Sequence, residues 1–317
     1  MPTINTLAGP LDTSDMGRTL IHEHIAIRTP GVAENWPDLW DENACVESAR
    51  EKLGALAERG IGTVLDLTTA DMGRDAHYLQ RVAEVAAVSI VVATGIYWNV
   101  PMYWRGRPAE QLQRVFVRDI TDGIQGTAIK AGVIKLASDQ QAGGVDEINE
   151  KCLRAGARAH RETGVPIATH NGPPTLGREQ QRVFKDEGVD LSRVVIGHVG
   201  DTTDTDYLKE LMDNGSYVGM DRFGLERTLS FADRVDTVAR LCRDGYAERI
   251  TLAHDASCCL DWFADRAAVE AAMPNWHFCH ISDDVVPALL ERGVSELQVE
   301  TMLRDNPRRL FEQQGAY

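Results

Sequence analysis

TLIHEHIAIR, residues 19–28, places His22 and His24 on either side of Glu23 within a run of leucine and isoleucine. Residues two apart in a β-strand point to the same face, so a strand here presents both imidazoles together and turns Glu23 the other way. In a helix the two imidazoles would diverge, and the helical zinc motif HExxH does not match because its histidines are four apart. The stretch therefore predicts a strand carrying two adjacent imidazoles.

Seven more short runs of apolar and β-branched residues follow, separated by longer amphipathic stretches. The eight runs are GRTLIHEHI (17–25), IGTVLDLT (61–68), SIVVATG (89–95), AGVIKLA (131–137), VPIATH (165–170), RVVIGH (193–198), SYVGMD (216–221) and RITLAHD (249–255). Helical stretches at 44–60 and 147–164 each end at a glycine, Gly60 and Gly164, as helices commonly do. Eight strands alternating with helices predict parallel βαβ units and a (β/α)8 TIM barrel, with residues 1–317 as a single domain.

An open, doubly wound parallel sheet is the alternative fold, but neither a GxGxxG nor a P-loop follows the first strand. Segments 26–43, 98–108 and 256–282 are expected to be long loops after strands. In a barrel these loops lie on the side that carries the chemistry.

Composition narrows the function classes. The chain of 317 residues is 43% hydrophobic and carries a formal net charge of −15, which disfavours nucleic acid and anionic membranes as partners. No run of about 18 apolar residues predicts a membrane span. Six cysteines form no CxxC pair, so neither a disulfide framework nor a thiolate zinc site is expected. With no visible secretory signal, a reducing cytoplasm is the simplest interpretation.

The ends of the predicted strands carry four histidines, one aspartate and one lysine. In chain order these are His22, His24, Lys135, His170, His198 and Asp255. Imidazole and carboxylate are the usual ligands of zinc, iron, cobalt and manganese, and a barrel mouth brings distant strand ends together. A single histidine is more often structural, and we assign that role to the remaining five: His77, His160, His254, His277 and His280. The joint occurrence of six such residues at strand ends predicts a metal centre.

The ordered pieces LIHEHI, VVATGIY, GVIKLASD, IATHNG, VVIGHVGD, VGMDRFGL, LAHDASC and NPRRLF resemble the amidohydrolase superfamily, and within it the phosphotriesterase family and its lactonases. The resemblance implies two divalent metal ions (Zn, Co, Fe or Mn) and a homodimer. It implies that His22, His24 and Asp255 bind the buried metal, and that His170 and His198 bind the exposed one. It also implies that Lys135 is carboxylated and bridges both, that a bridging hydroxide is the nucleophile, and that Asp255 moves the proton.

Two further positions match the lactonase pattern. Tyr97 would reach toward the metal centre and Arg222 would follow the seventh strand, although Tyr97 could simply pack and Arg222 could pair with Asp221 or Glu226. The segment DASCCLDWF (255–263) resembles the start of the lactonase substrate loop, and Cys258, Trp262 and Phe263 are expected to line an apolar channel. A vicinal Cys258–Cys259 disulfide is less favoured than a reduced pair.

The leading hypothesis is a binuclear-metal lactonase that hydrolyses N-acyl homoserine lactones or γ/δ-lactones and has promiscuous phosphotriesterase activity. A primary phosphotriesterase is the nearest alternative. An amidase or carboxylesterase on the same centre, and a metal-binding barrel without turnover, remain open.

Overall fold

A computed structural model describes residues 2–312 and 315–317. Its strands are β1 (Thr3–Thr6), β2 (Gly9–Asp12), β3 (Arg18–Ile27), β4 (Ile61–Asp66), β5 (Ser89–Gly95), β6 (Val133–Asp139), β7 (Ile167–Gly172), β8 (Val194–Ile196), β9 (Tyr217–Met220), β10 (Ile250–Leu252) and β11 (Ser257–Leu260). Its α-helices are α1 (Val32–Asn35), α2 (Glu42–Glu58), α3 (Ala76–Ala83), α4 (Met102–Arg105), α5 (Ala109–Thr121), α6 (Glu147–Thr163), α7 (Gly177–Asp186), α8 (Thr205–Asp213), α9 (Phe231–Arg243), α10 (Arg266–Ala272), α11 (Val286–Glu291), α12 (Glu296–Glu300) and α13 (Asn306–Glu312).

Strands β3 to β10 form the predicted (β/α)8 barrel. Neighbours pair in parallel in the order β3 to β10, and β11 adds to the free side of β3. The chain after β10 closes the ring, because Asp255 N donates to His22 O at 3.1 Å and His24 N donates to Ala256 O at 2.9 Å. The barrel prediction is therefore confirmed, and the open-sheet alternative is wrong.

Two apolar layers hold the barrel together. The smaller is built mainly from strand residues such as Ile21, Leu65 and Val91, which point into the barrel, and it also includes Leu310 and Phe311 of α13. The larger packs the outer strand faces against the helices and includes Leu53 and Phe184. Because parallel strands are covered on both faces, they read in the sequence as nearly continuous apolar runs.

Two predicted strand ends need correction. His198 and Asp255 were placed on the last residues of their strands, yet β8 ends at Ile196 and β10 at Leu252. Both residues lie in the following turn with left-handed backbone, at φ 59° and 57°. Such φ values are uncommon for residues other than glycine and are often found at functional sites.

The expected loop at 256–282 and the expected reduced cysteines also need correction. The segment contains β11 and α10, and Cys259 in β11 forms a disulfide with Cys45 in α2. A reducing cytoplasm was inferred partly from unpaired cysteines, and that inference loses this support.

Within residues 2–312 and 315–317, none of the helices is both long enough and apolar enough to cross a bilayer.

Candidate active site

The barrel mouth brings all six predicted ligand residues into one cavity. They are His22, His24, Lys135, His170, His198 and Asp255, and all but Asp255 are almost completely buried. Asp255 lies between three of the imidazoles. Its carboxylate is 3.2 Å from His24 Nε2, 3.5 Å from His22 Nε2 and 3.6 Å from His198 Nε2.

Burial sets the protonation of these groups. It lowers the pKa of His22 to about 4, and that of His198 well below its ordinary value. Burial alone would raise the pKa of Asp255, but the neighbouring imidazoles and Arg222 hold that pKa well below its usual range. His22 and His198 are therefore neutral and Asp255 is ionised at neutral pH, which are the forms that bind metal ions.

Lys135 lies at the bottom of the cavity, with Nζ 2.7 Å from His22 Nε2. Burial lowers the pKa of Lys135 to about 7, so much of the side chain is neutral amine near neutral pH. The main chain of β5 comes close here, because a Cβ on Gly95 (φ 130°) would overlap the Lys135 carbonyl oxygen. This approach brings Tyr97, two residues later, over the same cavity.

Three supporting side chains were missed in the sequence. Asp221 accepts from Nδ1 of His22 at 2.7 Å and of His198 at 3.0 Å, and also from the His198 backbone N–H at 2.8 Å. Thr68 lies 2.9 Å from His24 Nδ1, and Asp139 lies 2.9 Å from His170 Nε2. Side chains that bond the free nitrogen of a histidine fix its orientation and the nitrogen it offers to a metal.

These contacts test whether the residues fit divalent cations. Ligand atoms of His22, His198 and Asp255 lie within 4.8 Å of one another. The hydrogen bonds that the Nδ1 atoms make to Asp221 and Thr68 leave Nε2 of His22, His24 and His198 directed toward Asp255. Four imidazoles, a carboxylate and an amine around one point fit two cations of the zinc, iron, cobalt or manganese type.

Tyr97 and Arg222 approach the cluster from outside it. The Tyr97 hydroxyl lies 3.1 Å from His170 Nδ1, and burial raises the pKa of this phenol, so it stays protonated. Arg222 donates to Asp255 at 3.2 Å and to Asp201 at 2.9 Å. The alternative pairing of Arg222 with Asp221 or Glu226 is not found, because Asp221 accepts from His22 and His198 and Glu226 accepts from Asn275.

The cavity has a volume of about 280 Å³ and an apolar outer wall. The apolar lining consists of Ile27, Met72, Leu225, Leu260, Trp262, Phe263, Met273 and Trp276. Cys258, expected in this lining, is instead fully buried in the apolar layer outside the barrel, and Cys259 beside it is held to α2 by the disulfide. Trp262 and Phe263 lie at the rim, 45% and 41% exposed.

Two of the histidines assigned structural roles, His160 and His254, are buried and make hydrogen bonds away from the site. His160 bonds the Val165 carbonyl at 2.7 Å and the Tyr317 hydroxyl at 2.7 Å. His254 bonds Glu23 at 2.7 Å, so Glu23 turns away from the imidazole pair as predicted and fixes the chain after β10.

Fold and site together define a (β/α)8-barrel hydrolase whose strand ends gather imidazoles and a carboxylate in one mouth. The sequence profile of the phosphotriesterase family matches residues 2–311, and the chain belongs to this family.

Three relatives show the same family membership by sequence identity, and two of them also by structural similarity. The structure of the phosphotriesterase from Mycobacterium tuberculosis is 49% identical, covers 100% of both chains and superposes with a TM-score of 0.95. An aryldialkylphosphatase from Saccharolobus solfataricus is 37% identical over 95% of this chain and 96% of its own length. A structure from the engineering of organophosphate hydrolysis from a weak promiscuous lactonase template is 35% identical, covers 98% of this chain and 99% of its own, and has a TM-score of 0.91.

Proposed function

We propose that this phosphotriesterase-family hydrolase is a binuclear-metal lactonase with promiscuous phosphotriesterase activity. Its proposed substrates are N-acyl homoserine lactones or γ/δ-lactones. The observation that carries the proposal is the position of the Tyr97 hydroxyl, 3.1 Å from His170 at the edge of the cluster, where it can donate to an ester oxygen.

The six convergent residues would hold the cations. His22, His24 and Asp255 are proposed for one cation, His170 and His198 for the other, and a carboxylated Lys135 for both. An ammonium group between two cations would be strongly repelled, whereas a carbamate supplies two negative oxygens. When bound, the cations supply Lewis acidity and lower the pKa of water.

Three residues of the chain are proposed to transfer the proton, to hydrogen-bond the leaving group and to orient the proton carrier. Asp255 accepts the proton of the attacking water and delivers it to the leaving alkoxide, a role suited to a carboxylate that contacts three imidazoles. Tyr97 keeps its proton and donates a hydrogen bond to the ring oxygen of the lactone as the C–O bond breaks, while the proton itself comes from Asp255. Arg222 orients Asp255 through their 3.2 Å contact and places positive charge beside the site.

The cavity supports a substrate with a small polar head and an apolar tail. The polar groups lie at the bottom of the cavity. One side of its wall is apolar and consists of Leu260, Trp262, Phe263, Met273 and Trp276. A volume of about 280 Å³ encloses a lactone ring and the first part of a chain. The remainder of a long acyl chain would pass Trp262 and Phe263 at the rim.

The test compares kcat/KM for a long-chain acyl homoserine lactone, a δ-lactone and paraoxon on one metal-reconstituted preparation. A preference for a lactone by several orders of magnitude supports the proposal. A preference for paraoxon would identify a primary phosphotriesterase, the alternative favoured by the similarity to an aryldialkylphosphatase. Metal-loaded protein inert toward all three would contradict both.

We also propose a homodimer. Four large apolar side chains are more than half exposed on the segments after β3 and β5: Trp36, Leu39, Met102 and Tyr103. A subunit interface would cover these exposed apolar side chains. Light scattering on a sizing column would give twice the mass of one chain, and a monomer would contradict the proposal.

A further inference from the structure

A second group of metal-binding side chains lies outside the active-site cluster, in the segment WHFCHISDD (276–284). The chain turns here into the helical segment that begins at His280 and continues as the π-helix Ile281–Val285, and His280 N donates to His277 O while Asp283 N donates to Cys279 O. The turn brings His277 back beside His280, and Asp284 lies one helical turn after His280. The sequence therefore places two imidazoles and the carboxylate of Asp284 side by side.

The geometry of this face is close to that of a ligand set. One ring nitrogen from each of His277 and His280 and one carboxylate oxygen of Asp284 lie within 4.8 Å of one another. Nδ1 of His280 lies 2.7 Å from Asp284. Nε2 of His280 is buried and has no hydrogen-bond partner in the described part of the chain. An imidazole that bonds a carboxylate through one nitrogen and leaves the other buried without a partner is suited to binding a cation.

We propose that His277, His280 and Asp284 bind a transition-metal cation of the Zn²⁺ type, separate from the active-site metals. Imidazole nitrogen favours zinc, nickel, copper or cobalt over calcium and magnesium, which prefer oxygen. His280 is 2% exposed, whereas His277 and Asp284 are exposed. The open side leaves coordination positions for water, so the cation exchanges with solution.

The charges around the cluster are compatible with a cation. The neighbouring carboxylate of Asp283 pairs with Arg59 at 2.7 Å, so it is not a free fourth ligand. His277 Nδ1 accepts from the Cys279 backbone N–H at 3.2 Å. A cation at that nitrogen replaces this hydrogen bond, which the exposed ring can give up at little cost.

The position of the cluster indicates what the cation does. Trp276 precedes it, lines the active-site cavity and donates from Nε1 to the His254 carbonyl at 3.0 Å. The Cys45–Cys259 disulfide fixes the beginning of the substrate loop, and the cation would fix the return of the loop at Trp276. The exposed rim residues Trp262 and Phe263 lie between these two points.

The experiment measures zinc per chain by equilibrium dialysis and mass spectrometry of the metal. His277→Gln and Asp284→Asn change exposed side chains, and His77→Gln changes an exposed histidine outside the cluster as a control. We expect the two cluster variants to bind one equivalent fewer than the wild type and the control. The difference isolates this site whatever the active site holds, and equal stoichiometry in all four proteins would overturn the proposal.

A second measurement tests the bracing of the loop. Trypsin cleaves after Arg266, which lies in the loop and is 40% exposed at its side chain. Zinc added to metal-depleted protein should slow this cleavage several-fold more in the wild type than in His277→Gln. Equal slowing in both proteins would overturn the bracing role.

Discussion

Asp221 shows what a residue-by-residue interpretation of the sequence misses. The six strand-end residues were predictable, because strand period and barrel topology direct them to one mouth. Asp221 follows β9 in the same manner, yet it was considered only as a partner for Arg222. In the structure Asp221 contacts the imidazoles of His22 in β3 and His198 in the turn after β8. These contacts join parts of three strands, and the spacing of residues along the sequence does not reveal them.

Lys135→Ala should lower the metal content and abolish hydrolysis of every substrate. The buried amine is the group from which the proposed carbamate forms, and alanine leaves the two cations without a negative bridge. Metal analysis and turnover of a lactone and paraoxon check this. Lys185→Ala, which changes an exposed lysine, should keep wild-type values, and normal turnover in Lys135→Ala would contradict the bridging role.

Tyr97→Phe should reduce kcat/KM for lactones by about 100-fold, the usual scale of a lost hydrogen-bond donor at the transition state. Paraoxon hydrolysis should change only a few-fold, because its aryl leaving group departs without a proton. The exposed Tyr103→Phe is the matched control. Equal losses on both substrates would show that the Tyr97 hydroxyl acts on the cluster through His170 and not on the leaving group.

At the scale of elements, the apolar runs located all eight barrel strands, with ends shifted by up to three residues. Asp255 shows the physical reason, since it follows β10 by three positions and still bonds β3 through its backbone. β11 was not predicted, because SCCL has no alternating pattern and its pairing depends on β3. The Cys45–Cys259 bond joins residues 214 positions apart, a pairing that spacing cannot suggest.

Reduction of this disulfide should destabilise the fold. A bond that closes so long a loop restricts the unfolded chain, and its loss costs about 2–4 kcal/mol. Urea unfolding of the wild type with and without reductant measures the difference. Cys45→Ser/Cys259→Ser should match the reduced wild type in either condition, and Cys279→Ser should still respond to reductant. A wild type that does not respond would contradict a stabilising bond.

At the scale of the whole molecule, the barrel was predictable because eight βα repeats in one chain leave few topologies. The substrate was not, because the lining of the cavity comes from loops after several strands. Cys258 illustrates this: its neighbours Leu260 and Trp262 line the cavity, whereas Cys258 packs outside the barrel. Cys258 and Leu260 are two apart in β11, a spacing that would place both on one face of a regular strand, so neither strand period nor a motif match assigns the lining here.

The molecule as a whole should lose stability in mild acid through its buried histidines, and His160 tests this away from the metal centre. Burial lowers the pKa of His160 to about 4 from the ordinary value of 6.5. The unfolded chain therefore takes up a proton first as pH falls. Above pH 6.5 the imidazole is neutral in both states, and the free energy of unfolding keeps its full value. Between pH 6.5 and 4 protonation of the unfolded chain lowers that free energy by about 3 kcal/mol.

Urea unfolding from pH 7.5 to 4 should show a steeper decrease in the free energy of unfolding for the wild type than for His160→Gln, which is less stable at pH 7.5. Parallel pH curves would mean that His160 takes up its proton equally in the folded and unfolded chain.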